Sequence, residues 1–415
     1  MPKPLLLKTI DISKAGLRNK MLIGDLDGDG RRELLMVQGD GGIDDRYIPH
    51  QVVCLTAFNL DGELLWQVGT PHPEPGRHGS DFPVQIYDID GDGYNEVLCV
   101  MDKQFLVLDG KIGSIKQAYP LPDPFAHDCI IIANLTGSAY PRDLILKNRY
   151  RQMWAMDHEF KLLWTYRGNI GHYPWVYDFN NDGKDEVMAG FDFLDSNGCK
   201  LWSSTLVDHA DCIWVGPVLD GKTTPYLVIG GSSTAMYDQH GAEIWRYDGC
   251  RESQHVALGR FRPELPGLQV AGVDRIDRSR TGRDGIFLLD SMGKELAKEH
   301  RQTIGWSTII DTLTDWDDNE QDYILAFRRG RDVLPGIYDG YLNKIVEFPV
   351  QGLAVHGKLV EQGSECVIIY NQEQAHVYAG KWHDLSETSG RPLPQDKRLY
   401  NSTLYPGGEY VKTIG

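Results

Sequence analysis

The sequence predicts an all-β chain folded as an eight-bladed β-propeller, and three observations predict it. The pattern Asp-x-Asp-x-Asp-Gly-x-x-Glu occurs at Asp25, Asp27, Asp29 and Glu33, again at Asp88, Asp90, Asp92 and Glu96, and in relaxed form at Asp178, Asn180, Asp182 and Glu186. Each copy is flanked by apolar runs, as the turn of a recurring strand pair would be. The surrounding unit recurs every 40–50 residues or so with four short strands each, the spacing of propeller blades.

The units can be read in order. Unit one is MLIGDLDGDGRRELLMV then VVCLTAFNLDGELLWQV; unit two is VQIYDIDGDGYNEVLCV then FLVLDGKIGSI. Unit three is CIIIANLTGSAYPRDLILKN then RQMWAMDHEFKLLWTY; unit four is WVYDFNNDGKDEVMAG then FDFLDSNGCKLW. Unit five is CIWVGPVLDGKTTPYLVIG then STAMYDQHGAEIWRY; unit six is HVALGRFRPELPGLQVAG then GIFLLDSMGKEL. Unit seven is STIIDTLTDWDDNEQDYILAF then GIYDGYLNKIVEF; unit eight is LAVHGKLVEQGSECVIIY then AHVYAG. Unit eight lacks a fourth strand, and LLLKTIDI at positions 5–12 is the natural donor. Closing the ring with the N-terminal strand removes both open edges. Seven blades is the alternative if unit eight packs irregularly. The whole chain, 1–415, reads as one propeller domain, with 381–415 an irregular tail packed on it.

The bulk composition agrees. The 45 glycines suit a turn-rich β fold, and the ten tryptophans and twenty tyrosines suit strand packing and sugar stacking. A net charge of 42 − 59 = −17, with no basic run, argues against nucleic acid or an anionic membrane as partner. No segment has the length to span a bilayer or the pattern of a signal peptide. The seven cysteines show no CxxC spacing, and most lie in apolar runs, as buried free thiols would. These features predict a cytoplasmic protein, or a secreted one if a leader precedes the sequence.

The Asp-rich turns point to hard-cation binding. Oxygen ligands at alternate positions around glycines suit calcium. Their repetition makes the expected role structural, with a catalytic one left open. Asp315, Asp317 and Asn319 form a degenerate relative in unit seven.

The opposite face should carry the chemistry. His78, His127, His172, His209, His255 and His356 fall near the start of an inner strand in six units. Each alone reads as a turn cap or an inter-blade bridge. Together they read as a ring around a mouth. Expected beside them are Lys147, Asn148, Arg149 and Tyr150 in unit three, and Arg328, Arg329 and Arg331 in unit seven. Unit one adds Asp44, Asp45, Arg46, Tyr47 and His50; unit six adds Arg251, Glu252, Gln254, Arg260 and Arg262. Histidine and arginine over a concave mouth suit an anionic ligand.

Such a mouth suits β-elimination at a uronic acid. A cation that neutralises the carboxylate acidifies the adjacent C5 proton. Histidine or tyrosine can then remove it and protonate the departing glycosidic oxygen. Hydrolysis would need two carboxylates across the scissile bond. Asp128, Asp208 and Asp211 near the mouth keep that alternative open.

The DLDGDGRRE-type turns, GNIGHYPWVYDFNNDGKDE, CRESQHVALGRFRPE and the closing YNSTLYPGGE resemble the β-propeller polysaccharide lyases, the rhamnogalacturonan lyases and the ulvan or rhamnose–glucuronate lyases among them. The similarity covers roughly residues 15–410. It implies a lyase acting on an anionic glycan that contains uronic acid and rhamnose. It also implies histidine and tyrosine as base and acid, and arginine or histidine as carboxylate neutraliser. Carried onto this chain, these roles fall first on His127 and His172, then on Arg149 and Tyr150. His78, Tyr173, His209, His255, Arg260, Arg328 and Arg331 become substrate-binding candidates. The eight units resemble the rhamnogalacturonan group, whereas the histidine-rich mouth resembles the ulvan-type group. In the former, calcium also acts nearer the substrate. Action on short oligosaccharides or from chain ends is the expected mode. A non-catalytic carbohydrate-binding propeller is the alternative, since fold alone does not set function.

Overall fold

A computed structural model describes residues 4–40, 51–75, 81–275, 284–301, 308–328, 333–395 and 403–410. Eight antiparallel sheets of the expected kind follow one another around a ring. The inner strands are Lys20–Gly24, Val84–Tyr87, Cys129–Ala133, Trp175–Tyr177, Cys212–Gly216, Ser253–Gly259, Thr308–Leu313 and Leu353–Lys358 for blades one to eight. The N-terminal strand Leu5–Asp11 completes blade eight, pairing antiparallel with Gln374–Ala379 from Leu5↔Ala379 to Asp11↔Gln374. The ring therefore closes as the sequence predicts.

The core lies between blades. One apolar cluster joins Ile131 and Ile145 of blade three to Val187 and Phe193 of blade four and Ile213 and Ile229 of blade five. Inner and second strands read as nearly continuous apolar runs because both their faces are covered, as the fully buried VLCVM of blade two illustrates.

The tryptophans of four fourth strands have a specific purpose. The Trp66 indole N–H donates to the Gly110 carbonyl of the next blade at 2.7 Å, Trp164 to Ser196 at 2.9 Å, Trp202 to Gln239 at 3.0 Å and Trp245 to Ser291 at 3.1 Å. Each ring also covers a glycine of that neighbouring hairpin. A Cβ on Gly113, Gly198, Gly241 or Gly293 would lie 2.6–2.8 Å from the indole. Tryptophan on one blade and glycine on the next thus form a repeated fastener.

The tail does more than rest on one face. Residues 381–395 run along the Asp-turn side, where the Leu393 N–H donates to Asp25 at 2.7 Å. Residues 403–408 are all buried, and Gly408–Glu409 pairs parallel with the inner strand of blade five. The tail therefore enters the central channel. Only glycine fits this approach: a Cβ at Gly407 would lie 2.3 Å from the Ile213 carbonyl oxygen, and one at Gly408 would lie 2.5 Å from the Trp214 ring.

Candidate active site

Connections between second and third strands, and from one blade to the next, emerge on one face of the ring. The Asp-rich turns join first and second strands and emerge on the other. On the first face, Arg149 and Tyr150 lie between strands Asp143–Lys147 and Gln152–Met156 of blade three. The buried Lys147 ammonium holds this loop, donating to Asp128 at 2.7 Å and to the Arg149 carbonyl at 2.8 Å. His172 enters from the next inter-blade connection, and Asp208, His209 and Asp211 from the one after.

These groups meet. Tyr150 Oη is hydrogen-bonded to His172 Nε2 at 3.2 Å. The His209 ring centroid lies 5.1 Å from both the Tyr150 and His172 rings. Asp211 Oδ1 is 3.5 Å from His172 Nε2 and 3.5 Å from His209 Nε2. Arg149 is buried and donates to Asp81 at 2.6 Å, while Asp81 also faces His172 Nδ1 at 3.9 Å. Thr403 of the tail donates to the other Asp81 oxygen. Tyr405 stacks on His172 at 3.4 Å between centroids and is nearly parallel to His255 at 5.6 Å. His172 is 2% exposed and walled in; the His209 side chain, at 24%, faces the mouth.

The electrostatics favour a charged pair at neutral pH. Burial would pull the His209 imidazolium down, but the Asp211 and Asp208 carboxylates outweigh it and push its pKa up to about 9. Burial pushes Asp211 up to about 6, with His209 offsetting part of the rise.

The expected ring of six histidines is only partly assembled here. His172 and His209 touch, and His255 joins through Tyr405. His127 is buried beside Phe125, with ring centroids 6.2 Å apart. The Tyr173 hydroxyl is inside the core, within hydrogen-bonding reach of Gln85 at 2.9 Å and the Ile130 carbonyl at 3.3 Å. His356 lies within its strand rather than at the entrance, between Asp311 at 3.1 Å and Glu365 at 3.3 Å. Glu365 accepts from the Thr314 and Asp315 amides, which places this pair toward the Asp-turn side. The expectation for Arg260 is corrected too. It lies between the first and second strands of blade six, on the Asp-turn face, its N–H donating to Asp322 at 2.7 Å. The Arg328 backbone ends a blade-seven strand opposite Thr308. His78, Arg329, Arg331 and the 41–50 loop, with Asp44, Asp45, Arg46, Tyr47 and His50, lie outside the described residues.

Sequence reasoning missed Asp81, Thr403 and Tyr405. One signal was available: a carboxylate follows a histidine in His78–Asp81, His127–Asp128 and His209–Asp211, each just before an inner strand. Thr403 and Tyr405 lie in the closing YNSTLYPGGE, but no spacing there points to partners such as His172, far back in the chain.

The Asp turns differ among themselves. Asp25, Asp27 and Asp29 gather donor oxygens within 4.8 Å, as do Asp88, Asp90 and Glu96. In each turn the final glutamate accepts from a backbone amide: Glu33 from Leu26 at 2.7 Å, Glu96 from Ile89 at 3.0 Å and Glu186 from Phe179 at 2.9 Å. The other Glu33 oxygen is buried with no hydrogen-bond partner, and burial pushes this carboxyl up to about 8. A hard cation beside it would fit. In the second turn, Lys116 Nζ stands 2.7 Å from Asp90, 2.7 Å from Glu96 and 3.5 Å from Asp92. In the third, the Asn180 amide donates to Glu186 at 2.6 Å, and among the described residues Asp178, Asp182 and Glu186 do not gather as tightly.

No family model matches the chain. It is 24% identical over 354 residues to the rhamnogalacturonan exolyase YesX of Bacillus subtilis (strain 168), covering 67% of this chain and 56% of that protein. It is 23% identical over 264 residues to the rhamnogalacturonan endolyase YesW of the same organism, covering 49% and 42%. The chain thus spans about half the length of the curated relatives it matches. The crystal structure of exotype YesX matches the fold with a TM-score of 0.69 at 18% identity, over 98% of this chain and 80% of that one. The Vibrio cholerae biofilm matrix protein Bap1 matches with 0.61 at 13% identity, over 93% and 90%. Weakly in sequence and over nearly its whole length in fold, the chain is similar to the β-propeller rhamnogalacturonan lyases.

Proposed function

We propose that this protein is a polysaccharide lyase that cleaves a uronate-containing glycan by β-elimination at the mouth formed by Tyr150, His172 and His209. The observation that carries the reading is the Tyr150–His172 hydrogen bond of 3.2 Å beside the more exposed His209. Burial divides the roles. His172 is too enclosed to reach a sugar, whereas Tyr150 is half-buried. Tyr150 therefore meets the substrate and His172 exchanges protons with it. His209, as imidazolium, neutralises the uronate carboxylate. Arg149 is buried against Asp81 and positions Tyr150, its guanidinium 5.2 Å from that ring.

In the reaction, the C5–H bond breaks and its electron pair moves into the carboxylate as an enolate. That pair returns to form the C4=C5 double bond as the C4–O bond breaks. The proton taken through Tyr150 goes to the departing oxygen. General acid–base catalysis of this kind is worth about 10²–10⁴-fold. Rhamnogalacturonan is the first substrate to test, because both curated relatives carry that name; ulvan and rhamnose–glucuronate glycans come next. Calcium fits best at the first Asp turn and acts there as a fastener, bringing hard positive charge to a carboxylate-rich loop.

The test is ultraviolet absorbance from an unsaturated uronate product across this glycan panel. A rise that disappears in Tyr150→Phe supports the reading. New reducing ends without that absorbance would instead identify a hydrolase. Binding without turnover would favour a carbohydrate-binding propeller, a reading kept in view by the Bap1-like fold.

A further inference from the structure

The Asp211 carboxylate raises a question that proton relay leaves unanswered. Its Oδ1 is buried, and two imidazole nitrogens flank it at 3.5 Å each. Hydrogen bonds between such groups are normally about 2.7–3.2 Å. Another geometry matches better. Zinc bound tetrahedrally by nitrogen and oxygen has bonds of about 2.0–2.1 Å, which sets neighbouring donors about 3.3 Å apart. The distances here are 3.5 Å, 3.5 Å and, from Tyr150 Oη to His172 Nε2, 3.2 Å. One ligand atom from each of His172, His209 and Asp211 lies within 4.8 Å of the other two.

The supports are rigid. Tyr405 stacks on His172, and Asp208 stands 2.8 Å from His209 Nδ1, leaving Nε2 directed toward Asp211. A carboxylate held against one imidazole nitrogen in this way fixes which nitrogen is left to ligate. Two imidazoles, one carboxylate and a phenol form a donor set for a borderline metal, unlike the all-oxygen Asp turns across the ring.

We propose that His172, His209, Asp211 and Tyr150 form a binding site for a zinc-like divalent ion. If the lyase reading holds, zinc inhibits the enzyme, because the ion occupies the atoms that exchange the proton. Only this second clause rests on that reading.

The experiment uses the intact protein stripped of transition metals and supplied with calcium. Zinc titration by calorimetry should show one site, and cobalt(II) should give the intense visible absorption of a tetrahedral N/O complex. Asp211→Asn and His209→Gln should each weaken zinc at least tenfold, while Asp25→Asn leaves it unchanged. Should a variant fail to fold, the wild-type cobalt spectrum still decides. Absence of zinc binding, an octahedral cobalt spectrum, or equal zinc affinity in folded Asp211→Asn overturns the site. Zinc binding in a protein with no lyase activity supports the site while refuting the lyase reading. Lyase activity unaffected by bound zinc overturns the inhibition.

Discussion

The Tyr405 ring lies on the His172 imidazole with 3.4 Å between centroids and 20° between planes. One residue belongs to the tail and the other to the connection before blade four. The mouth is therefore built jointly by ring and tail. Tyr405→Ala should cost about 3–5 kcal/mol, as for other buried aromatic truncations. It should also lower kcat by tenfold or more, with a smaller change in KM, because His172 loses its wall. Tyr405→Phe keeps the stacked ring and should restore most of kcat. Equal damage by both substitutions would mean that the hydroxyl, not the stack, matters.

Proton exchange at Tyr150 makes a sharper prediction. Tyr150→Phe removes one oxygen and with it the hydrogen bond to the buried His172 Nε2, so stability should fall by about 1–3 kcal/mol. Turnover should fall about 10²–10⁴-fold. His209→Gln should instead raise KM for uronate substrates as well as lowering kcat, since it removes the charge facing the carboxylate. A Tyr150→Phe enzyme with unchanged kcat would remove tyrosine from the chemistry.

Much of the architecture was legible because blades are local objects. Short strands recur at a regular period, some units carry an Asp-rich turn and others a Trp ending, and the missing strand of unit eight matched the N-terminal one. The site was less legible because it depends on contacts between segments. His172 and Tyr150 share a mouth through ring geometry, which strand register exposes. Tyr405 meets them only because the tail enters the channel, and no periodicity encodes that path. His356 shows the opposite failure: grouped with the others by its inner strand, it lies inside that strand and faces Asp311 and Glu365. Arg260 was placed by proximity to His255 along the chain, although a strand carries it to the other face.

His356 gives the fold a pH window. Burial would lower its pKa, but Asp311 and Glu365 outweigh it and raise the value to about 10. The folded value exceeds the unfolded one of about 6.5. The stabilisation is thus complete below about pH 6.5 and disappears as pH rises through about 10. Glu365 behaves oppositely. Burial would raise it, but His356 and the Asp315 and Thr314 amides win and lower it. Its contribution is present above about pH 4.3, the unfolded value, and is lost as pH falls through the lower folded value. His356→Gln should cost about 3–5 kcal/mol near neutrality by leaving buried carboxylates uncompensated. It should also flatten the alkaline limb of Tm against pH. An unchanged alkaline limb would show that another group sets it.

The Asp turns predict unequal calcium sites. Lys116 holds the second turn at 2.7 Å from both Asp90 and Glu96, whereas Arg31 reaches only Asp29 of the first, at 2.9 Å. An ammonium among the carboxylates competes with a cation. Calcium titration should therefore resolve a stronger class, lost in Asp25→Asn, and a weaker one. Lys116→Met should strengthen the weaker class at least tenfold, and chelation should lower Tm in the wild type. If Lys116→Met weakens calcium or leaves it unchanged, the lysine is not the competitor.

The tryptophan fasteners predict a stability series. Trp245 donates to Ser291 at 3.1 Å and covers Gly293, where a Cβ would lie 2.6 Å from its ring. Trp245→Phe keeps much of the apolar cover and loses one hydrogen bond, so it should cost about 1–3 kcal/mol, the penalty for stranding a buried carbonyl included. Trp245→Ala should cost about 3–5 kcal/mol. Gly293→Ala should be destabilising for two reasons, since its φ of 79° disfavours any side chain and the indole occupies the space. If the contact is one fastener, Gly293→Ala should cost much less in the Trp245→Ala background than alone. Strict additivity, measured by chemical denaturation of the four proteins, would show that the two residues act independently and that the indole does not lock adjacent blades.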